Sequence, residues 1–159
     1  MVAGSKSEEN KKLVIQNKKA FHDFFVLDIF EAGIVLRGNE VKSLREHKAN
    51  LTDSYARIKS EEIFLYNMHI SPYSKARIEQ TDPLRVKKLL MHKSQILKLS
   101  GKMTDKSLTL VPLSVYFLES HAKVELALVK SKLQHDKRRE IEKKITEREI
   151  QRTLKNFKR

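Results

Sequence analysis

His22, His47, His69, His92, His121 and His135 are the side chains of this 159-residue chain best suited to metal or proton chemistry. Their spacing does not gather them. No two stand four apart with a Glu between them, and no HxH occurs, so no zinc or other metal centre is expected. The four glycines (Gly4, Gly33, Gly38 and Gly101) build neither a P-loop nor a dinucleotide fingerprint, and no G-x-S-x-G elbow is present. No cofactor is expected. A phosphodiesterase that assembles Lys, His and Glu from distant segments would leave no linear trace, so that class stays open at this point. The abundant reactive group is the cation. Lys and Arg number 33 against 20 Asp and Glu, a net charge of +13 with a pI near 9.9. Such a balance suits a partner rich in phosphate or an anionic membrane surface. With no cysteine there is neither a disulfide nor a thiolate site. Apolar runs are short, typically those of Phe24 to Leu27 and Leu126 to Val129, too short for a transmembrane helix or a secretory core.

The charge is uneven. Residues 130–159 hold twelve Lys/Arg and five Asp/Glu, a net of +7, which leaves +6 on residues 1–129. Three parts follow: a flexible N-terminus over 1–16, a β-rich body over 17–129 and a basic tail over 130–159. In the body, DFFVLDIF from Asp23 reads as a strand, with Glu31-Ala32-Gly33 a turn before IVLR. Asn39 is placed to cap a short helix over Glu40 to His47, with Val41 and Leu44 on one face and Lys42, Arg45 and Lys48 on another. SYARIK and EIFLYNMHI read as paired strands split by Ser60-Glu61, the second running to Ile70. A strand through Met91 precedes a helix from about His92 that buries Ile96, Leu99 and Met103. The last strand pair sets Thr109, Val111, Leu113, Val115 and Phe117 on one face, and Pro112 within it marks an edge or a bulge. The fold class is mainly β with flanking helices (α+β). A small antiparallel, oligonucleotide-binding-like β-barrel is one way for so many short strands to avoid open edges.

The tail has no Gly or Pro and reads as a helix. At 100° per residue, Lys137, Lys144, Arg148, Arg152, Lys155 and Arg159 fall within about 80° of one another. Ile150, Leu154 and Phe157 lie roughly opposite, while Ile141 and Ile145 fall nearer the basic side. No apolar seam runs the full length, which disfavours a coiled coil and a membrane-surface helix. Two readings remain: a solvated helix with no specific task, or a segment that follows a phosphate backbone and orders on binding.

Nine stretches in order carry a resemblance: NKKAFHDFF (17–25), EAGIVL (31–36), GNEVKSLR (38–45), KANLTDSYARI (48–58), HISPY (69–73), DPLRVKKLLMHK (82–93), LTLVPLSVYF (108–117), KVELALVK (123–130) and HDKR (135–138). From Asn17 onward the chain resembles small protein B, the SsrA-binding family of bacterial trans-translation. The resemblance implies an antiparallel oligonucleotide-binding barrel and a non-enzymatic, cytoplasmic, monomeric protein. Its implied partners are transfer-messenger RNA, the small ribosomal subunit with its 16S ribosomal RNA, and elongation factor Tu in the delivery complex, with no membrane. The body would bind the tRNA-like domain through Glu31, Leu90 and His92, beside Asn17, Lys18, Lys19 and His22. The tail would enter the decoding centre and empty mRNA channel of a stalled ribosome. Lys130, Lys132, His135, Asp136, Lys137 and Arg138 would act at its base, and Lys144, Arg148, Arg152, Leu154 and Lys155 along its length. His135 is a stacking candidate, and Asp136 a cap for the helix that follows.

The chain departs from the family pattern at four places. Ser131 and Ser107 replace usual glycines, Leu133 a usual Lys and Phe21 a usual Arg. Because Ser lacks the freedom of Gly at positive φ, a different hinge between body and tail is expected at Ser131. Without the resemblance, a structural ribosomal protein with an arm in ribosomal RNA, or an RNA-processing enzyme, would fit the same composition. Stoichiometric retention on translating ribosomes would mark the first, and RNA turnover by the pure protein the second.

Overall fold

A computed structural model of the protein describes residues 11–76 and 81–157. Nine strands and four helices lie along the described residues. The hairpin of β4 (Tyr55–Lys59) and β5 (Glu62–Tyr66) forms where the alternation predicts it. Ser60 and Glu61 close it with φ of 51° and 59°. Two consecutive left-handed residues give a tight turn whose twist matches the strands. β7 (Lys87–Leu90) pairs with β5 and with β2 (Phe24–Ile34), and β2 pairs with β9 (His121–Ser131). β9 pairs along its length with β8 (Leu108–Leu118), which returns to β4. The order β8-β4-β5-β7-β2-β9 therefore comes back to β8 through antiparallel pairs alone. Ala32, Leu65, Leu89, Leu110, Leu126 and Leu128 meet in the core inside this ring. A two-stranded sheet of β3 (Ala49–Asn50) and β6 (His69–Ile70) stands apart.

Several elements differ from the sequence expectation, each for a local reason. Residues 11–16, expected to be a flexible end, form β1 (Lys11–Gln16) on β8. Val14 and Ile15 pack against the core, and the second half of β8 offers an edge that β4 does not use. Residues 1–10 lie outside the described residues. The expected strand to Ile70 breaks at Asn67, whose φ is 58°, a conformation Asn tolerates. The break shifts the side-chain alternation, so Ile63 and Leu65 are followed inward by Met68 and Ile70. Pro112 does sit at a bulge, between Pro112 and Ser114. That bulge splits the expected single stripe of β8. Val115 and Phe117 face the main core, whereas Val111 and Leu113 face outward, under α1 (Lys18–Asp23) with Ala20, Ala127 and Val129.

α2 (Gly38–Arg45) starts earlier than Asn39 implied. Its N-cap is Arg37, whose backbone N–H donates to the Glu40 carboxylate at 2.7 Å. Glu40 is buried and accepts from two guanidinium nitrogens of Arg85, at 3.1 and 2.6 Å, which compensates its charge. Close by, Lys87 is fully buried and donates to the Met68 carbonyl at 2.6 Å. α3 (Lys93–Lys102) follows β7, with Ile96 and Leu99 buried as expected. α4 (Gln134–Phe157) closes the chain.

Candidate RNA-binding surface

Glu31 sits late in β2, on the outer side of the ring. The Tyr116 hydroxyl and the Lys123 ammonium both donate to its carboxylate. Strand register makes this cluster, because Glu31 pairs with Glu125 on β9 while Lys123 pairs with Tyr116 on β8. The Lys123 ammonium first, then the Tyr116 hydroxyl, holds the Glu31 carboxyl below the usual carboxylate range. Burial, and then the Glu31 charge, pushes the Tyr116 hydroxyl up, so it remains a donor. Beside it, Ser114 donates to Glu125, the register partner of Glu31, at 3.0 Å.

Across the β2–β7 pairing, Gly33 stands opposite Leu90. A Cβ on Gly33 would lie 3.3 Å from the Leu90 Cβ, so the glycine lets the leucine side chain lie close over the strand. Leu90 is 54% exposed. His92 follows as the N-cap of α3 in an extended conformation. Glu31, Gly33, Leu90, Met91, His92, Gln95 and Lys123 line one concavity. The three body residues selected by the resemblance, spread over 61 positions, thus come together. The arrangement offers a carboxylate with spare acceptor sites, an apolar surface and an imidazole. It can accept from base amino or sugar hydroxyl groups and support an unstacked base. Lys123, Tyr116 and Gln95 were absent from the expected site. Only strand register could have pointed to the first two.

The N-terminal residues divide. Asn17 is buried. Its side chain accepts from the Ala20 backbone N–H at 3.2 Å, capping α1, and donates to the carbonyls of Pro112 at 3.1 Å and Leu51 at 3.3 Å. Its amide is consumed inside the protein, so it holds α1 in place. Lys18 is exposed, and Lys19 is paired with Asp53 at 2.8 Å. His22 lies 2.9 Å from the Asp23 carboxylate.

The base of the tail is tied to the body. Lys132 was expected among the decoding-centre residues at the base of the tail, but it is buried. Its ammonium lies 5.0 Å from the Phe25 ring centroid, donates to the Phe21 carbonyl at 3.1 Å, and meets both Glu140 oxygens at 2.7 Å. That cation depresses the Glu140 carboxyl. Lys137 pairs with Asp23 at 3.1 Å. Ser131 is a paired residue of β9 outside the left-handed region, so serine fits there without backbone strain. The helix begins at Gln134, before Asp136. Asp136 accepts from the Leu133 backbone N–H at 3.3 Å and contacts His135 at 3.0 Å, so it caps from inside the first turn. Lys130, His135 and Arg138 are exposed. Every residue from Ile141 to Lys155 is exposed, including Lys144, Arg148, Arg152, Leu154 and Lys155.

A cationic antiparallel β-protein with a polar concavity on its wall and a solvated basic helix belongs to the class that engages nucleic acid. The model of the SmpB protein family matches residues 14–156, and the chain belongs to that family. It is 52% identical over 152 residues to the SsrA-binding protein of Halothermothrix orenii, covering 96% of this chain and 98% of that one. It is 54% identical over 144 residues to the SsrA-binding protein of Geobacter sulfurreducens, covering 91% and 94%. A solved structure described as "tmRNA-SmpB: a journey to the center of the bacterial ribosome" is similar with a TM-score of 0.65 and 46% identity. That similarity covers 76% of this chain and 85% of the other.

Proposed function

We propose that this protein binds transfer-messenger RNA and serves trans-translation, without catalysis of its own. The observation that carries the reading is the concavity shared by Glu31, Leu90 and His92 on a strongly basic chain. Relatives named SsrA-binding protein across nearly the full length support it. In this reading the concavity contacts the tRNA-like domain. Lys18 and His22, and Lys19 once its Asp53 pair exchanges, meet neighbouring phosphates. The complex reaches a stalled ribosome in the cytoplasm with elongation factor Tu, as one copy of this chain. The exposed cations of α4 then follow 16S ribosomal RNA in the decoding centre and the empty mRNA channel.

The test is competition binding at moderate salt between the tRNA-like domain and an unrelated stem-loop of equal length. Preference for the first is expected. Glu31→Ala combined with His92→Ala should erase most of it, about tenfold or more, because the first removes a charged hydrogen-bond acceptor worth about 1.5–3 kcal/mol and the second a stacking ring worth about 1–3 kcal/mol. Equal affinity of the wild-type protein for both RNAs would overturn the reading.

A further inference from the structure

The outward positions of β4 and β5 carry rings where a solvated strand would carry polar groups. Ala56, Ile63 and Leu65 face the core, so Tyr55, Arg57, Phe64 and Tyr66 alternate to the outside. Tyr55 and Tyr66 are cross-strand partners whose rings stack with centroids 5.4 Å apart and planes 10° from parallel. The Arg57 guanidinium lies 5.1 Å from the Tyr55 centroid. Phe64 stands between Arg57 on one side and Lys88 of β7 on the other. Arg57 and Lys59 are exposed, and neither forms an ion pair among the described residues, whereas Lys88 pairs with Glu62. Over β8 and β9 the outer wall has a cover: α1 lies on Val111, Leu113, Ala127 and Val129. The β4–β5 rings are all partly exposed.

This face is continuous with the surface described above. Lys88 and Leu90 share the outward side of β7, and Leu90 lines the Glu31–His92 concavity. At the other end Tyr55 lines a second cavity with Lys19, Ala20, Phe24 and Asp53, which leads to α1. Along this path Tyr55, Tyr66 and Phe64 are interleaved with Arg57, Lys88 and Lys19, the two lysines being paired with Glu62 and Asp53. Bases of any identity stack on such rings, while interspersed cations hold the backbone between them.

We propose that the β4–β5–β7 face is a second RNA surface that takes a short unpaired segment. Bases stack beside Tyr55, Tyr66 and Phe64, and phosphates meet Arg57 and Lys59. The proposal rests on the RNA-binding reading above and adds a site to it. The concavity at Glu31 supplies hydrogen bonds to a folded RNA, whereas this face supplies stacking for a strand without structure.

The test uses the full chain and a fluorescein-labelled oligoadenylate of about twelve nucleotides, within the span of such strand-binding faces. The chain has no Trp, so quenching of tyrosine emission on titration is a second readout. Tyr55→Leu with Arg57→Ala should weaken oligoadenylate binding about tenfold or more, since one stacked base is worth about 5- to 150-fold. Lys98→Ala removes one exposed charge on α3, the helix tied to β2 by the Lys102–Asp28 pair, and should leave binding within about twofold. If thermal melting shows that the double variant is unfolded, Arg57→Ala and Phe64→Leu are measured singly, and each should weaken binding. Platform variants that bind like wild type overturn the proposal, as does a wild type that ignores oligoadenylate. Equal affinity for an oligoglutamate peptide would also overturn it, since the face would then read only negative charge. Failure of the wild type to prefer transfer-messenger RNA would instead overturn the function proposed above. Intact preference with indifferent platform variants would overturn this site alone.

Discussion

Single side chains in this protein change meaning once their surroundings are known. Asn17 and Lys132 both belong to expected RNA-contacting segments, yet both are buried and spend their polar groups inside the protein. Lys87 had no expected role and is fully buried beneath the Met68 and Pro83 carbonyls. Burial lowers its ammonium to about 8. An unfolded lysine titrates near 10.4, so between about pH 8 and pH 10.4 the unfolded chain binds more protons at this position. Stability from this group therefore rises with pH across that window, and below pH 8 the charged form carries its full desolvation cost. Urea midpoints at pH 7.5, 9 and 10 should show a rising contribution in wild type that Lys87→Met lacks. Identical pH profiles for the two proteins would show that the burial of Lys87 has no energetic consequence.

At the scale of elements, the notable junction is between β9 and α4. A helix with so little apolar surface gains almost nothing from packing, and its exposed face from Ile141 onward shows this. Its direction is set at the base by Lys132, wedged between Phe25 and Glu140, and by the Asp23–Lys137 pair. Lys132→Met should keep the body folded while releasing the first turns of α4. Amide hydrogen exchange over residues 134–142 should accelerate about tenfold or more, given about 1.5–3 kcal/mol for hydrogen bonds to a charged group. Unchanged exchange would mean that the helix is directed by something other than this lysine. The β4–β5 and β8–β9 pairs, the helix from Lys93 and the bulge near Pro112 were legible in the sequence, because alternation and proline act locally. The parity shifts at Asn67 and past Pro112 were not. A left-handed residue or a bulge leaves the composition of a strand unchanged while reversing which side chains face inward.

For the whole molecule, charge is divided between a body that folds around a core and a helix that projects from it. Termination after Leu133 keeps β9, Lys132 and the Phe25 contact while removing α4. That protein should bind the tRNA-like domain within a few-fold of wild type, yet support no peptide tagging on stalled ribosomes. Its RNA affinity should also fall less steeply with salt on long RNA, since fewer phosphates are neutralised and fewer counterions released. Full tagging activity by the truncated protein would remove the proposed role of α4.

By itself the sequence determined the cationic character, the uneven charge between residues 1–129 and 130–159, the β4–β5 and β8–β9 pairs and the family resemblance. Those properties are additive or local, carried by residue type and by spacing over a few positions. The tertiary structure decided which residues share a surface. Glu31 gains Tyr116 and Lys123 from strands 85 and 92 positions away, and Leu90 reaches it across Gly33. Lys132 is taken out of solvent by a ring and a carboxylate. These outcomes depend on strand register and burial. Both are set by how the core closes, a property of the whole chain that no short stretch of it encodes.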